Sequence, residues 1–153
     1  MTKSKDPQSV VENQTKELIA KMHVDAQVSV IAQDENYKVQ IDTPDTGLLI
    51  GYHGEVINSL QLILGVLVYR ELGEWVRIIV DVGDYRQKRE ETIKRLALDK
   101  AEEAVSTGQP VSLPYLSPLE RRIVHLTLSE NPRVTSESEG EGKDRHIVIK
   151  PQK

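Results

Sequence analysis

The sequence predicts an α+β protein of two consecutive units, which we place at residues 8–82 and 83–150. Three observations lead to this prediction. Helical and strand-like hydrophobic patterns follow one another in the first unit in the order helix–strand–strand–helix–loop–helix–strand. A long helical pattern then opens the second unit. That unit closes with a strongly capped helix and a β-hairpin. At 153 residues the chain is long enough to bury real cores.

The composition excludes several classes of protein. The chain has no Cys, which rules out disulfides and thiolate metal sites and fits a reducing cytosol. No apolar run approaches the ~18 residues that a membrane helix needs, and the polar N-terminus lacks the apolar segment of a signal peptide. We therefore expect a cytoplasmic protein with no membrane insertion and no cofactor.

The net charge of −4 is unevenly distributed along the chain. Residues 1–82 hold 7 Lys and Arg against 12 Asp and Glu, whereas residues 83–153 hold 13 against 12. Phosphate neutralisation supplies most non-specific affinity for nucleic acids. A nucleic-acid function would therefore need local basic clusters, which are more abundant in the second unit.

Each element of the first unit has a local signal. After a tail at residues 1–7, helical spacing of apolar residues predicts a first helix, and alternation predicts two antiparallel strands. Thr43-Pro44 predicts the start of a short helix, and Gly73 predicts the end of a long apolar one. In order, the elements are a helix at 8–22, strands at 24–32 and 37–41, a short helix at 45–50, a central helix at 54–73 and a strand at 75–82.

The first motif is the loop between the two helices in the middle of this unit. Gly51 and Gly54 flank the tip residues Tyr52 and His53. Glycine permits a sharp turn and a close backbone approach, and a helix N-terminus that follows such a loop can hold a phosphate. By itself, however, G-x-x-G is a weak pattern that fits a plain turn between two helices equally well.

With its aliphatic flanks, Leu49-Ile50-Gly51-Tyr52-His53-Gly54-Glu55-Val56-Ile57 resembles the loop of a K homology (KH) domain, and the order of elements resembles the type II topology of that family. The resemblance implies that the loop clamps the backbone of about four nucleotides. It also implies that Leu48, Val39 and Ile41 form a floor for bases. Many KH loops carry Lys or Arg at the tip. Here Tyr52 would stack on a base, and His53 would add charge only at acidic pH.

The second unit opens with a helix from about Asp84 to Thr107, with basic side chains in its first turns, namely Arg86, Lys88 and Arg89. These side chains either contact a nucleic acid or form a solvated face balanced by neighbouring glutamates. Residues 111–113, which follow, are either a short strand or an extended connection. Ser117-Pro118-Leu119-Glu120 is a capping box with proline at the first helical position. That helix should run to about Glu130 with Leu119, Ile123 and Leu126 facing the core, before a hairpin whose strands begin near 134 and 145.

The second motif lies on the capped helix. Arg121 and His125 are four residues apart and so share one helix face, and Arg122 is adjacent. Arginine offers a fork of donors that suits phosphate, and histidine can donate one or two hydrogen bonds. The bare pattern also fits an ordinary surface pair. In the string Ser117-Pro118-Leu119-Glu120-Arg121-Arg122-Ile123-Val124-His125, followed by the segment 136–142, the pattern resembles the R-three-H domain.

A type II KH domain followed by a small R-three-H α/β domain with a C-terminal β-hairpin resembles the bacterial Jag family over residues 8–150. The resemblance implies a regulatory protein that binds single-stranded RNA and influences cell elongation and division. The implied contact residues are Gly51, Tyr52, His53, Gly54, Arg121, Arg122, His125, Arg86, Lys88 and Arg89. Longer Jag proteins carry an additional N-terminal domain, whereas only about seven residues precede the KH unit in this sequence, so we do not carry over the functions of that domain.

Two alternatives to RNA binding remain open from the sequence. One is a KH-fold protein-interaction module with weak nucleic-acid binding. Members of the family are reported to pair with a small separate KH protein, so the partner of such a module would be that protein or a second copy of this chain. The other is binding of single-stranded DNA. The sequence contains no P-loop, no nucleophile elbow and no clustered metal ligands, so we predict that the protein is not an enzyme.

Overall fold

The structure of the protein, a computed structural model, describes residues 5–153, which divide into two units after Arg86. The elements of the first unit are, in order, α1 (Pro7–Lys21), β1 (Gln27–Gln33), β2 (Asn36–Asp42), α2 (Thr46–Ile50), α3 (Glu55–Leu72) and β3 (Arg77–Val82). A single 3-10 turn, Tyr52–Gly54, joins α2 to α3. The predicted α+β order of this unit is confirmed.

The first sheet has the strand order β1-β2-β3. β1 and β2 are antiparallel, with Val30 opposite Val39, as the predicted hairpin requires. β2 and β3 are parallel, with Val39 opposite Val80. α1 packs against α3 and β1, and α3 packs against β3, so both helices cover the sheet. The core between them is aliphatic and includes Val11, Val39, Ile41, Leu49, Ile57, Leu64, Val68 and Val80.

The predicted start of the first helix is confirmed to within one residue, and the predicted start of the second is wrong. Part of the predicted tail, residues 1–4, lies outside the described residues. Asp6 accepts a hydrogen bond from the Ser9 amide (3.1 Å), and Pro7 is the first residue of α1. The predicted cap at Thr43 is wrong, because α2 begins only at Thr46. The Thr43 hydroxyl instead donates to the Asp25 carbonyl (2.7 Å) and accepts from the Asp45 amide (3.1 Å), which fixes a turn ahead of the helix.

The helix α4 (Tyr85–Thr107) carries the chain from the first unit into the second. The remaining elements are β4 (Val111–Ser112), α5 (Pro118–Leu128), β5 (Val134–Glu139) and β6 (His146–Pro151). The predicted terminal hairpin is confirmed as β5 and β6, which pair antiparallel with Ser136 opposite Ile149. β4 adds to the other edge of β6, giving the order β4-β6-β5.

The capping box at the start of α5 is confirmed. The Glu120 amide donates to Ser117 Oγ (3.2 Å), and the Ser117 amide donates to Glu120 Oε2 (2.9 Å). The predicted core face of α5 is wrong for Leu119 and Leu126, which are each 63% exposed, whereas Ile123 packs against the core as predicted. Glu120, Val124 and Leu128, at four-residue spacing, occupy the inner side instead. Core packing together with an ion pair to Glu120 fixes this rotation of the helix.

Candidate nucleic-acid interface

The G-x-x-G loop has a backbone that only glycine tolerates at both ends. Gly51 has φ +70°, and a Cβ there would lie 2.3 Å from Val56 Cγ2. Gly54 has φ +84° and is the residue directly ahead of α3. His53 also has a left-handed backbone, with φ +52°. The Glu55 amide donates to the Tyr52 carbonyl, and the next amides in the first turn of α3 have no partner within the helix. The loop therefore leads directly into a partly positive helix end.

Tyr85 supports the loop from behind. A Cβ on Gly54 would lie 2.9 Å from Tyr85 Cε1 and 3.2 Å from the phenolic oxygen. The aromatic ring therefore packs directly on the Gly54 backbone, and Gly54 is required for space as well as for its φ angle. Gly54 is itself buried, whereas the two tip residues before it, Tyr52 and His53, are exposed to solvent.

The tip of the loop is a pair of stacked rings. The Tyr52 and His53 ring centroids are 3.9 Å apart at 22° between planes, and Tyr52 is 70% exposed. Leu48, one turn earlier, is 61% exposed, so its predicted contact with a base stays a prediction that the burial of the side chain does not oppose. Val39 and Ile41 cannot form part of such a floor, because both are fully buried in the core. Both belong to the central strand β2, whose inner face α1 and α3 cover.

Of the three predicted basic residues at the start of α4, two are engaged within the protein. Arg86 Nε donates to the Val80 carbonyl (2.7 Å), and its Nη2 donates to Gln61 Oε1 (3.1 Å). Gln61 Oε1 also accepts from the Val80 amide (2.9 Å). Together these groups close the outer edge of β3. Arg89 Nε donates to the buried carboxylate of Glu120 at 2.7 Å. Lys88, by contrast, is exposed.

The three predicted residues on α5 differ in their surroundings. Arg121 Nη1 donates to the Leu116 carbonyl (2.8 Å). His125 lies between two hydroxyls of β5, with Nδ1 2.8 Å from Ser136 Oγ and Nε2 3.1 Å from Ser138 Oγ. Arg122 is exposed. Arg121 and His125 thus attach α5 to its neighbours, and Arg122 projects into solvent.

Comparison with known proteins agrees with this architecture. Residues 8–82 match the family model for the KH domain of KhpA and KhpB, and residues 91–151 match the model for the R-three-H domain. The protein named "RNA-binding protein KhpB" from Lactiplantibacillus plantarum is 36% identical over 132 residues, which are 86% of this chain and 41% of the relative. Its namesakes from Clostridium symbiosum and Bacillus subtilis are 34% and 33% identical over 84% and 80% of this chain.

The chain belongs to the Jag/KhpB family. It spans about half the length of these relatives, namely 41%, 58% and 60%. In the part of the chain that the structure describes, no helix combines the length and the apolar character needed to cross a bilayer.

Sequence reasoning missed three residues that shape this KhpB-family site. No sequence pattern indicated Tyr85, because its packing on Gly54 depends on the path of the chain after β3. Ser136 and Ser138 are two residues apart on a strand, so both point to one face. That spacing, next to a helix carrying His125, was the available clue to their hydrogen bonds.

Proposed function

We propose that this protein binds single-stranded RNA through two modules, a KH unit at residues 8–82 and an R-three-H unit at 83–150. The observation that carries the proposal is the G-x-x-G loop, with two left-handed glycines, an exposed tip and a helix N-terminus directly behind it. A phosphodiester can approach the bare glycine backbone and accept hydrogen bonds from the amides that follow Glu55 in the first turn of α3. The curated relatives, which carry the name RNA-binding protein, support the same ligand class.

The tip chemistry suggests how this loop compensates for its lack of fixed charge. The Tyr52 and His53 rings stack on each other, so an unpaired base can stack on the outer face of the pair. Stacking on an aromatic side chain contributes roughly 1–3 kcal/mol per base and tolerates any sequence. We therefore propose that the loop holds one base by stacking and the adjoining phosphate by backbone amides. Exposed cations of the second unit, Lys88 and Arg122, would add electrostatic affinity.

The test is fluorescence anisotropy with a labelled pool of single-stranded RNA at two salt concentrations. Replacing both tip residues, Tyr52→Asp with His53→Asp, should weaken binding while the fold persists, because the tip is exposed. Lys38→Glu is the matched control, since it adds nearly the same negative charge on an exposed position of β2. Equal affinities for the tip variant and the wild type would remove the loop from the mechanism. Competition with a DNA strand of the same sequence tests the contribution of the 2′-OH.

A second candidate function, docking of another KH domain, is favoured by the outer face of α3. Leu62, Val66 and Tyr69 share one side of the helix and are 71%, 41% and 38% exposed. Trp75 is 66% exposed and stacks on Tyr69 with centroids 4.4 Å apart. A contiguous exposed patch of this kind marks interaction surfaces. We propose that this face pairs with a second KH domain.

Sedimentation of the purified chain tests this pairing in its simplest form, between two copies. The wild type should associate as concentration rises, and Leu62→Glu should remain monomeric because it places a charge in the middle of the patch. Ile31→Glu is the control, because Ile31 is a 58% exposed apolar residue on β1. A wild type that stays monomeric at high concentration would exclude self-pairing.

A further inference from the structure

The helix α5 presents an apolar and cationic strip on the side away from the core. Leu119, Arg122 and Leu126 are spaced by three and four residues, so they share one helix face. Leu119 and Leu126 are each 63% exposed, and Arg122 is exposed between them. We call these three residues the outer face of α5. Nothing in the packing of the second unit requires two leucines in that position.

The signature pair lies to one side of this face and is already hydrogen-bonded. Arg121 donates to the Leu116 carbonyl at 2.8 Å. Both ring nitrogens of His125 are within 3.1 Å of serine hydroxyls on β5. A hydroxyl can donate or accept, so these contacts persist in either tautomer of the ring. Turning either side chain toward a phosphate would leave half-buried partners unpaired, and that carries a free-energy cost.

The exposed charge of α5 is entirely positive. Its single acidic residue, Glu120, is buried and accepts from Arg89 Nε at 2.7 Å. Arg122 can therefore meet an anion without a competing carboxylate on the same helix, and its guanidinium fits two phosphate oxygens at once. Leucines on both sides of that cation would cover the faces of unstacked bases, which only a single strand exposes.

We propose that the outer face of α5 is the surface on which the second unit takes single-stranded RNA, and that Arg121 and His125 hold the helix in place rather than contact the strand. The inference rests on the proposed RNA binding and assigns its contacts. Arg122 supplies the phosphate contact. Leu119 and Leu126 supply the base contacts, which no motif indicated.

The experiment measures anisotropy of a labelled single-stranded RNA on the full chain across a salt series. Arg122→Ala should reduce the log–log salt slope by roughly 0.7, the value for one phosphate contact on a single strand. Leu119→Ser and Leu126→Ser should each weaken binding about fivefold at an unchanged slope, which corresponds to about half of a leucine being covered. The controls are Arg133→Ala, whose charge Glu102 already balances at 3.2 Å, and Leu98→Ser, a 51% exposed leucine on α4.

Melting temperatures distinguish side chains that contact RNA from side chains that hold α5 in place. Arg121→Ala and His125→Ala should lower the melting temperature of the second unit, and Arg122→Ala should not. The proposal is overturned if Arg121→Ala lowers the slope at an unchanged melting temperature while Arg122→Ala leaves the slope intact. It also fails if both leucine variants bind RNA like the wild type, because the outer face of α5 then makes no base contact. A wild type that binds no RNA at low salt refutes the proposed function itself, and with it this assignment.

Discussion

Replacing Gly54 by alanine tests the geometry of the G-x-x-G loop most directly. The substitution adds a single methyl group at a residue with φ +84°. That methyl would lie 2.9 Å from Tyr85 Cε1. Two separate penalties follow, one from the left-handed backbone and one from the crowded ring. Gly73 allows the two to be separated, because it has φ +81° and no atom within 4 Å of its added Cβ.

The magnitudes follow from the two environments. An alanine in the left-handed region costs about 1–2 kcal/mol, which is all that Gly73→Ala should lose. Overpacking a well-filled site costs a further 1–3 kcal/mol or so, because the Tyr85 ring must move away from the loop. Gly54→Ala should therefore destabilise the first unit by about 2–5 kcal/mol. The difference between the two variants measures the packing of Tyr85 on the loop.

Urea unfolding followed by tryptophan fluorescence is the appropriate assay. The chain has one tryptophan, Trp75, which lies in the first unit and stacks on Tyr69. Its signal therefore reports unfolding of that unit selectively. The free energy of unfolding is obtained by linear extrapolation for the wild type, Gly54→Ala and Gly73→Ala.

A double-mutant cycle decides whether the crowding comes from Tyr85. Combining Gly54→Ala with Tyr85→Ala should recover about 1–3 kcal/mol relative to the sum of the single variants, because the methyl then has room. The reasoning is refuted if Gly54→Ala costs no more than Gly73→Ala. A coupling energy below about 0.5 kcal/mol would refute it as well, since separate sites add within that margin.

Three further predictions concern the tip, a helix cap and pH. If Tyr52 holds a base, Tyr52→Phe should keep the RNA affinity and Tyr52→Ala should lose about tenfold in an anisotropy titration, and equal losses would instead indicate a hydroxyl contact. Ser117→Ala removes the cap of α5 and should lower stability by about 1 kcal/mol in thermal unfolding, with Ser129→Ala as an exposed control. A hydrogen bond from Gln14, together with the nearby Lys5, holds the pKa of Glu71 below its ordinary value of 4.5. The stabilisation that these contacts give the folded state is therefore present at neutral pH and is lost as the pH falls below 4.5. The urea midpoint of Glu71→Gln should therefore fall less than that of the wild type between about pH 6 and pH 3, and parallel curves would contradict this.

The sequence predicted the elements well where their signals are local. Gly73 predicted the end of α3, Ser117-Pro118 predicted the start of α5, and the alternation in 24–32 and 37–41 predicted the β1–β2 hairpin. These signals depend on φ angles and on hydrogen bonds within a few residues, so they act in any tertiary setting. Thr43-Pro44 carried the same kind of signal and was wrong. Its hydroxyl found a partner on Asp25, which is distant in sequence.

Which side of a helix faces inward was harder to predict. On α5 the apolar spacing placed Leu119 and Leu126 inside, yet a buried ion pair between Glu120 and Arg89 rotates them outward. The pattern could not show this, because periodicity counts a glutamate as polar whether or not an arginine from another helix neutralises it. Ile63 on α3 is 45% exposed for a related reason, since a helix with apolar residues on most of its sides can bury only some of them.

The sequence by itself determined the order of the elements, the two glycines of the loop and the Arg-x-x-x-His spacing, because these are properties of neighbouring residues. Only the tertiary structure decided which side chains remain available. It places Arg86 on the edge of β3, His125 between two serines and Tyr85 behind Gly54, and it leaves Arg122 in solvent. The physical reason is competition for partners. A donor binds a ligand only when no group within the fold satisfies it first, and those groups come from residues far apart in the chain.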